Sequence, residues 1–98
     1  VIRNKENIGI LIDRDGIGMS IAANKVKGVK AALCTSTSQG ITARAHNDAN
    51  ILVLAADFSD KEKTFKIIDM FLKADFNKEE RYYRRLEKIN QFENKGGK

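Results

Sequence analysis

The chain has 98 residues, of which 42% are hydrophobic and 32% are charged, a size and composition that predict one domain over residues 1–98 and exclude a second core. No apolar run approaches the roughly 20 residues needed to cross a bilayer, and no secretion signal is recognisable, so we expect a cytoplasmic protein without a membrane partner. The formal net charge of +5 favours anionic partners, but no zinc-finger spacing, Arg-rich run or aromatic RNA-binding segment is present, which leaves nucleic-acid binding as a minor alternative.

The first predicted unit is a strand, a glycine turn and a helix. Residues 1–7 read as the end of a helix, so the chain looks cut at its start. Residues 8–12 form a β-branched apolar run without helical period, typical of a strand buried on both faces of a parallel sheet. A turn at residues 13–18 follows, and the pattern of residues 19–26 predicts a helix with Gly28 as its C-terminal cap.

The remaining elements alternate in the same way. Residues 29–34 and 51–56 read as buried strands, and the hydroxyl side chains of residues 35–38 offer N-caps for a helix that runs to about His46. Residues 59–62 resemble a capping box that starts a third helix, and residues 78–92 predict a last one. The side chains that recur at helical spacing are Phe65, Ile68, Phe71 and Leu72 in the third helix and Tyr82, Leu86 and Ile89 in the last.

Strands that alternate with helices over short connections predict an α/β fold, a three-layer αβα sandwich with a Rossmann-like parallel sheet of about three strands. The pattern leaves the strand order open. Ligands of such sheets bind beyond the carboxyl ends of the strands, which directs attention to residues 13–20, residues 35–38 and Asp57.

The glycine turn is a candidate anion site. Its glycines allow backbone N–H groups to converge where the helix N-terminus adds partial positive charge. A tight structural turn is the other interpretation. The spacing fits neither a dinucleotide fingerprint nor a P-loop, and the single cysteine, Cys34, has no metal-ligand partners nearby, so we predict no cofactor and no metal. Cys34 closes an apolar strand and reads as a buried structural residue.

Three blocks in order make the chain recognisable: residues 16–26 (GIGMSIAANKV), residues 28–34 (GVKAALC) and residues 46–50 (HNDAN). Together they resemble the ribose-5-phosphate isomerase B family, which includes galactose-6-phosphate isomerase, over about residues 8–89. The resemblance implies aldose-ketose isomerisation of a sugar phosphate, of the ribose 5-phosphate to ribulose 5-phosphate type, through an enediolate. It also implies sites shared between subunits, and hence a homodimer or larger oligomer.

The same resemblance assigns roles to individual residues. His46 assists ring opening, Asn47 bonds to the sugar, and Arg81 and Arg85 bind the phosphate, while Arg44 is a further phosphate candidate. Read without the family, His46 is a polar helix end and the arginines are a solvated basic face. The implied anion hole for the enediolate is the backbone of Gly16, Ile17, Gly18, Met19 and Ser20.

Two side chains depart from the family pattern. Asp13 stands where many members have the cysteine base, and Asp15 stands where they have threonine. A carboxylate can act as such a base, so Asp13 is the provisional one. Two carboxylates beside an anionic intermediate also repel it.

Other departures affect the phosphate end and the start of the chain. Glu79 and Glu80 replace a usual Gly-Gly, and Tyr82 replaces a common histidine. The family's opening strand, with its Asp-His pair, is missing, so we expect an N-terminally truncated member or a reduced homologue. The alternative function is therefore a catalytically inactive sugar-phosphate-binding or partner subunit of a heteromeric isomerase.

Overall fold

The chain folds into a three-stranded parallel sheet with helices on both faces, which confirms the predicted α/β architecture. The structure is a computed structural model that describes residues 1–96. The strands are β1 (Gly9–Asp13), β2 (Ala31–Leu33) and β3 (Ile51–Ala55). The helices are α1 (Ile17–Asn24), α2 (Thr37–Ala45), α3 (Lys61–Lys73) and α4 (Glu80–Asn94), with a short 3-10 helix at Ala56–Phe58.

The last strand in sequence lies at the centre of the sheet, in the order β1-β3-β2. Gly9 pairs with Ile51 and Asp13 with Ala55 across the β1–β3 ladder, and Ala31 pairs with Ile51 across the β2–β3 ladder. All strands are parallel, so the carboxyl ends of β1, β2 and β3 lie along one edge of the sheet and their amino ends along the other.

The two faces of the sheet pack against different helices. Leu52 and Leu54 of β3 lie in one buried cluster with Ile67 and Phe71 of α3. Side chains alternate along a strand, so Val53 and its register partner Leu33 face the opposite side, where α1 packs. α2 and α3 approach closely at Gly40, where an added Cβ would lie 3.1 Å from the Ile67 carbonyl oxygen. Among residues 1–96 no helix is long and apolar enough to span a membrane.

The prediction that the first strand is buried on both faces is wrong. Ile10 and Ile12 lie on the same face as Leu52 and Leu54, yet they are 40% and 61% exposed. β1 is an edge strand, and the buried side chains of α3 pack over the central strand instead. The apolar sequence of β1 alone therefore does not predict burial at this edge of the sheet.

Several predicted boundaries also shift. Residues 1–7 form turns and not a helix end. α1 begins at Ile17 and ends at Asn24, four residues before Gly28. The side chain of Asn24, the last residue of α1, forms two hydrogen bonds with Ala31. Its Oδ1 accepts the Ala31 N–H at 2.9 Å, and its Nδ2 donates to the Ala31 carbonyl at 3.0 Å. The predicted capping box of α3 starts at residue 59. The observed N-cap is Asp60, whose carboxylate accepts the Lys63 N–H at 2.8 Å.

The buried stripes of α3 and α4 are narrower than predicted. In α3 the buried pair is Ile67 and Phe71, while Phe65 and Leu72 are exposed, because the close contact with α2 turns a different face of the helix inward. In α4 only two side chains are buried, Tyr82 and Leu86. Ile89, predicted on the same stripe, is exposed. α2 behaves as expected, with Ser36 as its N-cap and a 3.1 Å bond to the Gln39 N–H.

Candidate functional site

The glycine turn (residues 13–20) leads from the carboxyl end of β1 into α1. Gly16 has φ +79, and a Cβ at this position would collide with the Leu33 side chain. Both the left-handed conformation and the close approach to β2 therefore require glycine here. This local geometry fixes where the backbone amides of residues 16–20 point.

The chain's own carboxylates occupy part of the predicted anion hole. The Ile17 N–H donates to Asp15 Oδ1 at 3.1 Å, and the Met19 N–H donates to Asp13 Oδ2 at 3.4 Å. The Ser20 N–H donates within the backbone to the Gly16 carbonyl at 3.0 Å. An oxyanion bound at this turn would have to compete with two aspartates for its donors.

Asp13 is the half-buried residue at which β1 ends. Its other oxygen, Oδ1, accepts the Arg14 N–H at 2.9 Å, so both oxygens of the candidate base are held by backbone amides. The Arg14 side chain pairs with Asp57, which follows β3, at 3.3 Å, and the Asp57 N–H donates to the Arg14 carbonyl at 2.8 Å. These contacts tie the turn to the carboxyl end of the central strand.

Cys34 is buried on the other side of the sheet from Asp13, in the α2–α3 core. Burial raises the pKa of its thiol from 9.0 to about 11. A thiol of this kind is poorly suited to act as a base or nucleophile near neutral pH. The structure thus agrees with a packing role for Cys34.

A second group of candidate residues surrounds the Tyr82 ring, and we call it the Tyr82 cluster (His46, Arg81, Tyr82 and Arg85). The His46 imidazole stacks on Tyr82 with ring centroids 4.5 Å apart and an interplanar angle of 9°. The guanidinium carbons of Arg81 and Arg85 lie 4.8 and 5.8 Å from the Tyr82 ring centroid. Arg81 also donates to the Tyr82 hydroxyl at 3.0 Å and pairs with Glu79 at 3.7 Å.

Arg44 and Asn47 flank His46 but make other contacts. The Arg44 guanidinium donates to the Ala49 carbonyl at 2.6 Å, lies 3.6 Å from Asp48 and sits 5.7 Å from the Phe71 ring centroid. Arg44 is thus bonded within its own helix-to-strand connection, which weakens its assignment to phosphate. Asn47 is exposed, and its side-chain amide donates to the Thr42 carbonyl at 3.2 Å.

The glycine turn and the Tyr82 cluster lie at opposite edges of the sheet. α2 starts beyond the carboxyl end of β2 and runs back to the amino end of β3, so His46, its C-cap, lies at the amino edge. Asp13 lies at the carboxyl edge, paired with Ala55. The four residue steps of β3 between these edges cover about 13 Å. One copy of the chain does not bring the two sets of predicted residues together.

Sequence reasoning assigned Tyr82 only to a buried helix stripe and missed its position at the centre of the cluster. The available signal was an aromatic residue directly after Arg81 and three before Arg85, on the same helix surface. No local sequence pattern indicates the stack of Tyr82 on His46, because the two residues come from different helices.

Comparison with known proteins relates this fold to one family. The family described as Ribose/Galactose Isomerase matches residues 1–89. The chain is 46% identical over 88 residues to "Probable ribose-5-phosphate isomerase B" of Mycoplasma genitalium, which covers 90% of this chain and 57% of that protein. Type B ribose 5-phosphate isomerase of Trypanosoma cruzi superposes with a TM-score of 0.94 at 45% identity, over 98% of this chain and 63% of the other.

A further solved structure includes a ligand. Ribose-5-phosphate isomerase B of Mycoplasma genitalium, with bound ribulose 5-phosphate, superposes with a TM-score of 0.85 at 46% identity, over 89% of this chain and 57% of the other. The present chain therefore spans about six tenths of the length of these relatives.

Proposed function

This chain belongs to the ribose/galactose isomerase family, and from that premise we propose that it takes part in aldose-ketose isomerisation of a phosphorylated sugar, of the ribose 5-phosphate to ribulose 5-phosphate type. The observation that carries the proposal is the chemistry of the two edges. One edge offers a carboxylate beside backbone amides, and the other offers an imidazole beside two guanidinium groups. Together these are the groups that an enediolate mechanism needs.

The reaction assigns one step to each group. The Asp13 carboxylate removes the proton from C2 of the open-chain aldose, and the electron pair forms the C1–C2 double bond while the C1 carbonyl oxygen becomes the oxyanion of the enediolate. The proton of the C2 hydroxyl then passes to O1, the C2 carbonyl forms, and the Asp13 carboxyl, which can exchange its proton with solvent, returns a proton to C1. Amides of the glycine turn stabilise the developing oxyanion. No change in the redox state of the protein is involved, and the reaction needs no cofactor.

The Tyr82 cluster handles the other end of the substrate. His46 can move the ring-opening proton, since imidazoles exchange protons near neutral pH. Arg81 and Arg85 hold the phosphate through charge-assisted hydrogen bonds, and Asn47 bonds to the sugar. These roles require Arg81 to exchange its long contact with Glu79 for the phosphate.

Because the edges are about 13 Å apart along β3, we propose that the working site combines the glycine turn of one copy with the Tyr82 cluster of another. This arrangement makes the protein a homodimer or larger oligomer with two complementary half-sites per copy. Apolar side chains exposed on α1, such as Ile17 and Ile21, are consistent with contact between copies near the turn.

A second candidate function is a catalytically inactive, sugar-phosphate-binding partner subunit. The observation that favours it is the occupied anion hole, in which Asp15 and Asp13 accept the amides of Ile17 and Met19. Each negative charge within about 4 Å of an enediolate costs on the order of 1 kcal/mol even in bulk water, and more where water is excluded. The Tyr82 cluster would still bind phosphate in such a subunit.

The deciding experiment is NMR of ribose 5-phosphate, then galactose 6-phosphate, in deuterated water with the purified protein. An active isomerase forms ketose and introduces deuterium at the carbons that exchange protons. Asp13→Asn should abolish both signals. Asp69→Asn, which removes an exposed carboxylate in the middle of α3, is the matched control and should retain them. Phosphate binding without either signal in the wild type would instead support the partner-subunit function.

A further inference from the structure

Tyr82 occupies the centre of the cluster that the proposed function assigns to the substrate. Its side chain is 6% exposed, although it lies on a helix whose surface is otherwise open except at Leu86. The neighbours of its ring include an imidazole and two guanidinium groups. A ring that is buried against the substrate-binding groups themselves can control their geometry.

We propose that Tyr82 is a positioning residue, whose ring face fixes the plane of the His46 imidazole and whose hydroxyl holds Arg81, so that both reach the phosphorylated sugar in one orientation. The inference rests on the proposed function for the identity of the substrate. It goes beyond that function by assigning a role to a residue that itself transfers no proton.

The stack between the two rings supports the first half of the proposal. Centroids 4.5 Å apart with a 9° interplanar angle place the imidazole flat on the phenol ring. His46 caps α2 through its backbone N–H, which donates to the Thr42 carbonyl at 2.9 Å. The backbone is thereby fixed by α2 and the ring plane by α4, which leaves the imidazole edge as the part that can meet a ligand.

The contacts of Arg81 support the second half. Its guanidinium carbon lies over the Tyr82 ring, 4.8 Å from the centroid, with Nη2 3.0 Å from the hydroxyl oxygen, while its side chain is half exposed. A guanidinium held at one nitrogen keeps other donors free for phosphate oxygens. Arg85 has only the cation-π distance of 5.8 Å to the same ring, so it depends on the ring and not on the hydroxyl.

Three variants separate these contacts. Tyr82→Phe keeps the ring and removes the hydroxyl, and Tyr82→Leu keeps an apolar buried residue and removes the ring. Leu86→Ala truncates the other buried residue of the same helix and leaves every residue of the cluster unchanged. The chain has one histidine, so His46 gives isolated NMR signals in the whole protein. The ring current of a stacked phenol shifts those signals upfield.

We expect the upfield shift of the His46 signals in wild type and in Tyr82→Phe, and its loss in Tyr82→Leu. Titration with ribose 5-phosphate and with inorganic phosphate should show affinity reduced about fivefold in Tyr82→Phe, the size of one lost hydrogen bond. In turnover, Tyr82→Phe should raise KM with little change in kcat, while Tyr82→Leu should also lower kcat. The NMR shift and the phosphate titration test Tyr82 even in a protein that shows no turnover.

Two results would overturn the inference. One is a His46 spectrum in Tyr82→Leu that matches wild type together with unchanged phosphate affinity in Tyr82→Phe. The other is a Leu86→Ala variant that loses the His46 shift as completely as Tyr82→Leu, because the cluster would then depend on helix docking and not on the tyrosine. If Tyr82→Leu fails to fold, unchanged phosphate affinity in Tyr82→Phe, or loss of the wild-type His46 shift in Leu86→Ala, overturns the inference.

Discussion

The two edges of the sheet differ in the charges that they present. The glycine turn presents backbone amides that are already bonded to Asp13 and Asp15, so a carboxylate occupies the place of an incoming anion. The Tyr82 cluster presents cationic and ionisable side chains around one buried ring. A phosphorylated sugar carries permanent charge on its phosphate and only transient charge on its enediolate. The cationic Tyr82 cluster therefore suits the phosphate, and the glycine turn with its proton-accepting carboxylate suits the carbons that exchange protons.

The edges also differ in how they are built. The turn is largely local, because the amides of Ile17 and Met19 donate to carboxylates within residues 13–20, while Arg14 bonds outside the turn, to Asp57. The cluster joins the end of α2 to the start of α4, so its contacts are tertiary contacts between two helices. We therefore expect changes at the turn to act on chemistry with little effect on folding, and changes at the cluster to act through geometry.

The shared site is tested most strongly by mixing variants from the two edges. Asp13→Asn and Arg85→Ala should each lower kcat/KM by roughly 100-fold to 1000-fold, as loss of a general base or of an oriented charge does. If the site is shared between two copies, the co-refolded mixture should regain about a quarter of wild-type activity, because half of the random dimers are mixed and each has one intact site.

The matched control mixes Arg81→Ala with Arg85→Ala, two variants from the same edge. Every site in such mixed dimers carries one altered cluster, so no activity should return. Absence of recovery in the first mixture, with dimers verified by native mass spectrometry, would contradict a shared site and require both edges to act separately.

The predictable part of this molecule is its local part. Ser36 as an N-cap, the glycine turn and the order of strands and helices follow from short patterns, and the structure has them. The carboxylate of Asp15 two residues before the Ile17 amide is also a local pattern, an Asx turn, and could have been predicted.

The unpredictable part depends on which helix covers which strand. Ile12 is as apolar as Leu54, but only the central strand lies under α3, so one side chain is exposed and the other buried. The stack of Tyr82 on His46 likewise depends on the angle at which α4 meets α2. Neither the exposure of Ile12 nor the stack of Tyr82 on His46 can be predicted from the hydrophobic period of a single segment.

A second test distinguishes the Asp13 carboxylate as the base from the thiol of Cys34, which is buried on the other side of the sheet. Burial raises the pKa of Cys34 to about 11, against 9.0 for the accessible group. The thiolate fraction of the folded protein at pH 8 should therefore be about 100-fold lower than that of the unfolded protein, and alkylation by iodoacetamide correspondingly slower. Rapid alkylation of the native protein that also abolished turnover would transfer the role of base from Asp13 to Cys34.

The raised pKa of the Cys34 thiol also determines the direction in which stability changes with pH. The folded state holds the Cys34 proton between pH 9.0 and about 11, while the unfolded state releases it. Unfolding therefore becomes easier as pH rises through this window, and the contribution is absent below pH 9.0. Cys34→Ser should flatten that part of a urea-denaturation series, and an unchanged slope would contradict burial as the cause.

The smallest expected effect concerns the charge of Asp15. Asp15→Asn retains a side-chain oxygen for the Ile17 N–H but removes one negative charge from the turn. Binding of a sugar-phosphate hydroxamate that mimics the enediolate should tighten about fivefold, for about 1 kcal/mol of relieved repulsion. Inorganic phosphate, held by the Tyr82 cluster of the neighbouring copy at the far end of the shared site, should gain less affinity than the hydroxamate, because it lies farther from residue 15. Equal gains for both ligands would contradict separate positions for the phosphate and the enediolate, and Asp69→Asn, which removes an exposed carboxylate in the middle of α3, would show whether any lost carboxylate has that effect.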